Sequence, residues 1–296
     1  MSIDKDPDFF IVGLQKCGTY WLTALLNAHP EITCLPAMYG GQTGVEEGRI
    51  FDMLASIDND GGQAFKNSFL NHHNGYYADL VPLLGEISKE ELFDKFKERY
   101  RSKLNKHRNK KLVGDKTTEY IFHLDMIDSF YPQAKKICII RDPKDRIVSF
   151  YFHQVRKGRI NEGKIYDGFI KEYCSDRIIK EYESMLSYNN PIHCLTYENL
   201  SKNTQDEVTR LLRYLEASTD GNIIECMIKE ASIDNLRGKD MLCKESKGKK
   251  EGDEVTGSHY RKGIVGDWQN HLSNDQQLLI DDLLGELHQK IIDKYI

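Results

Sequence analysis

The chain has 296 residues, of which 40% are apolar and 10% aromatic, a length and composition that suit one large α/β domain or two small ones. Its net charge of −5 provides no general basic field, which argues against a nucleic-acid-binding protein and means that any anion site must be built locally. Seven cysteines, an odd number without paired spacing, argue against a disulfide framework and a zinc motif.

The cysteine content and the apolar runs also predict where the protein works. The N-terminal residues 1–7 contain no apolar signal region, and no apolar run reaches the roughly 20 residues of a membrane span. Reduced thiols are typical of a cytosolic compartment. We therefore predict a cytoplasmic protein with no membrane span and no bound metal.

The first predicted element is a buried strand followed by a loop and a helix. Phe9–Gly13 has no polar residue, Leu14–Gly18 forms the loop, and Thr19–Asn27 has helical spacing. This geometry directs free backbone N–H groups and the positive end of a helix at an anion, and Lys16 adds a full charge. We predict a phosphate or sulfate ligand, and an ordinary strand–turn–helix with a chance lysine is the alternative.

The loop differs from the Walker A sequence of P-loop kinases and NTPases. Gly13 and Gly18 have the Walker spacing, but Thr19 follows Gly18 directly and the lysine, Lys16, lies two residues before that glycine. The Walker lysine and hydroxyl are placed for β- and γ-phosphates and a magnesium ion. A P-loop kinase or NTPase is therefore the disfavoured enzymatic alternative.

Downstream, strands alternate with helices, which favours a parallel sheet covered on both faces. The predicted strands are residues 31–36, 111–116, 136–140 and 191–197, and the predicted helices are about 88–107, 125–130, 145–156, 176–187, 204–216 and a C-terminal helix after Ser273. Ligands of such sheets bind beyond the carboxyl ends of the strands. Because Lys16, Lys116, Arg141 and Tyr197 all come at or just after a strand end, we expect them to meet at one edge.

A second motif begins at Arg141, directly after a predicted strand. Pro143 turns the chain, and the following helix places Ser149 two turns further on. An arginine fork and a hydroxyl suit a terminal phosphate. A surface Arg–Asp pair at a helix start is the alternative interpretation.

A third motif spans residues 260–268, with the sequence YRKGIVGDW. Arg261 and Lys262 supply two cations, and Gly263 leaves room for the backbone to approach a phosphate. Trp268 is expected in the core rather than at the ligand.

In this order, the three motifs resemble those of sulfotransferases. Gln15–Trp21 is similar to the loop P-K-S-G-T-T-W, Arg141 and Ser149 have the separation of the family's 3′-phosphate site, and residues 261–268 match R-K-G-x-x-G-D-W. The resemblance covers residues 9–272. It implies one three-layer, P-loop NTPase-like α/β domain over residues 1–296, with about five parallel strands, that moves a sulfuryl group from 3′-phosphoadenosine 5′-phosphosulfate (PAPS) to an acceptor hydroxyl or amine by in-line displacement.

The resemblance also implies a set of donor-binding residues. The residues implied for the 5′-phosphosulfate are Lys16, Cys17, Gly18, Thr19 and Tyr20. Trp21 matches the tryptophan that stacks on adenine, and Tyr197 matches a tyrosine of the nucleotide pocket. The residues implied for the 3′-phosphate are Arg141, Ser149, Arg261, Lys262 and Gly263. The product would be adenosine 3′,5′-bisphosphate (PAP).

The implied catalytic residues are Lys16, Glu47 and Lys116. Lys16 would stabilise the leaving phosphate, and Lys116 resembles a lysine that lies near the transferring group in carbohydrate-type sulfotransferases. Residues 114–120 lack the histidine base of the animal cytosolic enzymes. Glu47, four residues before Phe51, resembles the glutamate base of the carbohydrate type. Its neighbour Glu46 and the pair His72–His73 are the alternatives.

The acceptor is not encoded in a readable motif. The segments 37–85 and 237–258 would line the acceptor side, and the second of these is predicted to be a mobile lid because it is rich in glycine and charge. The acceptor class and the oligomeric state stay open. A third class of function, a nucleotide-binding module without turnover, is also weighed against the enzyme.

Overall fold

The structure is a computed structural model that describes residues 6–35, 50–56, 80–83, 85–105, 109–238 and 262–296. Its centre is a five-stranded sheet in the order β2–β3–β1–β4–β5, and each of these pairings is parallel. The strands are β1 (Phe9–Gly13), β2 (Ile32–Leu35), β3 (Leu112–Lys116), β4 (Lys135–Ile140) and β5 (His193–Thr196). The predicted single α/β domain with a parallel sheet of about five strands is confirmed.

Helices follow almost every strand. They are α1 (Thr19–Asn27), α2 (Ile50–Ser56), α3 (Lys89–Asn105), α4 (Leu124–Phe130), α5 (Pro143–Arg156), α6 (Asp167–Tyr173), α7 (Ile179–Ser187), α8 (Tyr197–Lys202), α9 (Thr204–Leu215), α10 (Gly221–Glu230) and α11 (Asn274–Tyr295). Short 3₁₀ turns occur at Val81–Leu83, Thr118–Phe122 and Asp267–Asn270, and a π turn links α6 to α7 at Cys174–Ile178.

The burial of β1 shows that the sheet is covered on both faces. All five of its residues are buried, although successive side chains of a strand point to opposite faces. In one group of helices, α10 packs against both α1 and α9. In another group, α11 packs against both α5 and α7. The result is a three-layer arrangement in which the loops after β1, β3, β4 and β5 emerge at the same edge.

Two details differ from the sequence prediction. The helix predicted at 176–187 begins earlier, because α6 and the π turn precede α7. A π turn adds a residue to the helical repeat and shifts the buried face, so a single 3.6-residue period does not fit the whole segment. Tyr197 is the first residue of α8 rather than the last of β5, because the Thr196 side chain caps α8 by accepting from the N–H of Asn199 at 3.1 Å.

Several parts of the sequence analysis lie outside the described residues. These are Glu46, Glu47, His72, His73, Arg261, residues 239–258 of the predicted lid, and residues 37–49, 57–79 and 84 of the predicted acceptor segment. Within the described part of the chain, no helix is both long and apolar enough to cross a membrane.

Candidate functional site

The loop between β1 and α1 turns sharply at two residues. Lys16 has a φ of 63° and Gly18 a φ of 100°. A Cβ atom built on Gly18 would lie 2.7 Å from Cδ2 of Tyr197, so both the backbone and the space require glycine. Gly18 also gives α1 no side-chain cap, which is the arrangement that leaves helix N–H groups for an anion.

The Cys17 side chain turns inward from this loop. The thiol is fully buried, its Sγ lies 3.7 Å from the carbonyl oxygen of Gln15, and the Cys17 N–H donates to the Leu14 carbonyl at 3.3 Å. Burial raises the pKa of the Cys17 thiol to about 12. Cys17 is therefore a neutral core residue that holds the shape of the loop.

Tyr197 connects this loop to the second motif. Its ring lies against Gly18, and the guanidinium carbon of Arg141 stands 4.2 Å from the ring centroid. Trp21 packs against the Tyr197 ring with a centroid distance of 5.5 Å and an interplanar angle of 66°, and its Nε1 donates to the Ala231 carbonyl at 3.0 Å. One aromatic side chain thus joins residues from β1–α1 and from the end of β4.

Arg141 is 8% exposed and contacts the third motif. Its Nη2 donates to the Ile264 carbonyl at 3.1 Å and lies 3.3 Å from Oδ2 of Asp145. The buried carboxylate of Asp145 accepts from the N–H groups of Gly266 at 2.8 Å and Trp268 at 3.1 Å. The second and third motifs therefore form one unit. Their contact could not be predicted from the sequence, where the two motifs are far apart.

This unit carries two cations, Arg141 and Lys262. The Arg141 Nε atom is buried and has no hydrogen-bond partner in the described part of the chain. Lys262 is 41% exposed on its side chain, with Nζ 3.5 Å from Oδ1 of Asp267. Gly263 has a φ of 70°, and a Cβ atom built on it would lie 3.0 Å from Cδ1 of Ile233. Ser149 is half-buried on α5. An oxygen atom of an anion bound here would accept a hydrogen bond from the buried Nε of Arg141.

Lys116 lies at the carboxyl end of β3, next to β1 in the sheet. Its side chain is fully buried, and Nζ is 3.7 Å from the centroid of the Tyr20 ring. Tyr20 belongs to the first turn of α1, so this contact brings Lys116 to the loop that carries Lys16. Lys16, Lys116, Arg141 and Tyr197 thus all come at or just after strands whose carboxyl ends share one edge of the parallel sheet.

The chain re-enters the described region just after Glu47. Ile50 and Phe51 are buried at the start of α2. The Phe51 ring lies 5.0 Å from that of Tyr120, whose hydroxyl donates to Oδ2 of Asp115 at 2.9 Å. Since Asp115 precedes Lys116, the start of α2 is anchored near the same strand end.

A buried ionic network, which no sequence motif predicts, lies behind the loop. Its members are Arg146 on α5, Glu181 on α7, Arg177 in the π turn and Glu119 after β3. Arg146 and Glu181 pair with fully buried side chains. Arg146 belongs to a motif that the sequence analysis recognised, but its partner lies 35 residues further along the chain, and no local pattern signals the pairing.

Fold and site together define an α/β protein of the P-loop-like class with cations gathered at the carboxyl edge of its sheet. A family model described as a sulfotransferase domain matches residues 6–291, and the chain belongs to the sulfotransferase family. Sulfotransferase 1C2 from Homo sapiens is 21% identical over 158 residues, which cover 51% of this chain and 53% of that protein. Sulfotransferase 2A1 from Rattus norvegicus is 22% identical over 291 residues, which cover 95% of this chain and 84% of that protein.

The extent of these matches differs. The chain spans about half the length of human sulfotransferase 1C2 but most of the rat protein. Among solved structures, mouse sulfotransferase SULT7A1 complexed with PAP matches with a TM-score of 0.55 and 18% identity, covering 96% of this chain and 84% of that chain. At this identity the likeness shows a shared fold. In the described part of the chain, no group of three or more His, Cys, Asp or Glu side chains is arranged to hold a metal ion.

Proposed function

We propose that this chain transfers a sulfuryl group from PAPS to a hydroxyl or amine of an acceptor. The observation that carries the proposal is the junction at Tyr197, which joins the loop of Lys16 and Gly18 to the buried Arg141. A donor with phosphate groups at both its 5′ and 3′ positions needs two anion subsites that are held at a fixed separation. The family membership supports the same donor.

The described residues fit such a donor. The N-terminus of α1 and Lys16 suit the 5′-phosphosulfate, together with Gly18, Thr19 and Tyr20. Cys17 would contribute through the loop backbone, since its thiol is buried. The unsatisfied Nε of Arg141 supports its assignment to the 3′-phosphate. Lys262 and Gly263 directly precede Ile264, whose carbonyl accepts from Arg141. Ser149 and Arg261 are assigned to the same phosphate by motif alone.

Tyr197 contacts both Gly18 and Arg141, and Trp21 packs against Tyr197, so the two rings would offer apolar faces for an adenine ring. Trp21 is held by its hydrogen bond to Ala231, which leaves its position independent of a ligand. A prepositioned aromatic pair reduces the ordering that donor binding requires.

The reaction needs charge stabilisation more than covalent help from the protein. The acceptor oxygen or nitrogen forms a bond to sulfur while the bond from sulfur to the 5′-phosphate oxygen breaks, and the released product is PAP. Lys16 would stabilise the charge that develops on the departing phosphate, and Lys116 would act on the sulfuryl oxygens. Glu47 would take the proton of the acceptor. Its proposed position is supported by the anchoring of Ile50 and Phe51, three and four residues later, near the end of β3.

We also propose that the protein works in the cytoplasm. The cysteines of the described ranges are all free, and five of them are buried. Relatives that match this chain include proteins named cytosolic sulfotransferases, such as the one numbered 17 from Arabidopsis thaliana, which is 27% identical over 174 residues.

The proposal is tested by measuring sulfate transfer to a panel of acceptors and the binding of PAP and ATP by calorimetry. We expect transfer from PAPS and preferential binding of PAP. Lys16→Ala should lower turnover more than donor affinity, because its charge matters most when the leaving phosphate develops. The exposed Lys180 of α7 provides the control, Lys180→Ala. Binding of PAP without transfer to any acceptor would favour a non-catalytic module, and preference for ATP would favour the kinase alternative.

A further inference from the structure

The residue before Lys16 is held from three directions. The N–H of Gln15 donates to Oε1 of Glu181 at 3.2 Å, and its carbonyl oxygen accepts from Nε of Arg146 at 3.1 Å. Its side-chain oxygen accepts from the hydroxyl of Tyr173 at 3.2 Å. Backbone and side chain of Gln15 are therefore fixed by α5, α6 and α7, so that the neighbouring Lys16 starts from a defined position.

The same network reaches the segment after β3. Arg177 donates from Nε to Oε1 of Glu181 at 2.5 Å and from Nη1 to Oε1 of Glu119 at 3.0 Å. Its Nη2 lies 3.5 Å from the Thr118 carbonyl oxygen. Glu119 follows Lys116 by three residues. One guanidinium thus links the carboxylate that holds the Lys16 loop to the segment that carries Lys116.

The link depends on the forked guanidinium group of Arg177, which binds two carboxylates. Two arginines and two glutamates balance in charge, and the pair at its centre, Arg146 and Glu181, is fully buried. A planar guanidinium can bind two carboxylates in fixed directions, which a lysine cannot do. Arg177 reaches both carboxylates from the π turn Cys174–Ile178, a type of irregularity that is frequent at functional sites.

From this connection we propose that Arg177 and Glu119 are positioning residues for sulfuryl transfer, which set the segment of Lys116 relative to the loop of Lys16. The proposal rests on the proposed function. Neither residue is assigned a contact with donor or acceptor. They act through Glu181 and Gln15 on one side and through the segment after β3 on the other, and their effect should appear in the transfer step rather than in nucleotide binding.

The test compares kcat, the KM for PAPS and the Kd for PAP in wild type, Arg177→Gln and Glu119→Gln. Both changes remove a charge from the link, while Glu181 keeps its partner Arg146. We expect kcat to fall by about 10²-fold, the effect that a displacement of about 1 Å has on a reaction geometry. The Kd for PAP should stay near that of wild type, because Arg141 and Tyr197 are untouched.

A matched control separates positioning from stability. Lys136 and Asp128 form an ion pair with side-chain exposures of 7% and 20%, close to the 15% and 19% of Arg177 and Glu119. Lys136 lies at the start of β4, away from the site edge. Lys136→Gln should lower the melting temperature as much as Arg177→Gln does, but leave kcat unchanged below that temperature.

A double-mutant cycle completes the test. If Arg177 and Glu119 act as one link, the double variant should have the kcat of either single variant. The proposal is overturned if the kcat of Arg177→Gln equals that of the control Lys136→Gln, or if kcat and PAP affinity fall together. It is also overturned if the effects of Arg177→Gln and Glu119→Gln on kcat are additive. Wild-type protein without transfer activity would instead contradict the proposed function, and this inference with it.

Discussion

Replacing Arg141 by glutamine tests the second anion subsite. Arg141→Gln removes the positive charge that faces Tyr197 at 4.2 Å and the hydrogen bond to the Ile264 carbonyl. Asp145 would lose its ion pair but keep two backbone donors, from Gly266 and Trp268. The turn of the third motif should therefore stay in place, and the change should act on the ligand.

The structure sets the size of the effect. Arg141 is buried and its Nε has no other partner in the described residues, so a hydrogen bond to a phosphate would be charge-assisted and shielded from water. Hydrogen bonds to charged groups contribute about 1.5–3 kcal/mol. At about 1.4 kcal/mol for each factor of ten, PAP binding should weaken by roughly 10- to 100-fold.

Calorimetry with two ligands assigns the loss to the 3′-phosphate. In wild type, PAP should bind more tightly than adenosine 5′-phosphate, which lacks that group. In Arg141→Gln this difference should collapse, while the affinity for adenosine 5′-phosphate stays nearly constant. Ser175→Ala, an exposed change in the π turn, serves as the control. Equal weakening of both ligands would refute the assignment and make Arg141 a structural residue.

Three further predictions concern the base, the loop and the effect of pH. Glu47→Gln should lower turnover by about 10²–10⁴-fold with PAP binding intact; a nearly normal Glu47→Gln together with an inactive His72→Ala would move the base to a histidine. Gly18→Ala should weaken PAP binding and lower stability by about 1–3 kcal/mol, measured by calorimetry and urea unfolding, because it strains a φ of 100° and meets Tyr197 at 2.7 Å. Burial lowers the pKa of His193 to about 4. As the pH falls from about 6.5 to about 4, the unfolded state takes up the proton first, and stability should decrease by less than about 3 kcal/mol since the ring is partly exposed. In His193→Phe, the free energy of unfolding, measured with urea across that pH range, should fall less than in wild type. An unchanged pH dependence would show that His193 does not cause the decrease.

The sheet was predictable because its strands are marked by local apolar runs. Phe9–Gly13 contains no polar residue, and its burial on both faces follows from that composition. The meeting of Lys116 with the first loop followed from the general rule for the carboxyl ends of parallel strands. What carried the prediction in both cases was sequence information from a few neighbouring residues.

The remaining features depend on contacts between distant segments. The pairing of Arg146 with Glu181 and the support of the third motif by Asp145 join residues 35 and more than 100 positions apart. The π turn at Cys174–Ile178 interrupts the helical period on which the prediction of helix 176–187 relied. A single sequence carries no local sign of such pairings, because they depend on which faces the packed helices present to each other.

The arrangement around Tyr197 offers an optical signal without a label. The chain contains two tryptophans, and Trp21 lies 5.5 Å from the Tyr197 ring. The Trp268 indole instead lies 5.3 Å from the Lys144 ammonium. Trp21 therefore borders the proposed nucleotide site, and the fluorescence emission of the protein should change when PAP is titrated in. Loss of the signal in Trp21→Phe would assign it to the adenine end of the site. The association of the donor with the unlabelled wild-type protein could then be measured by stopped-flow fluorescence.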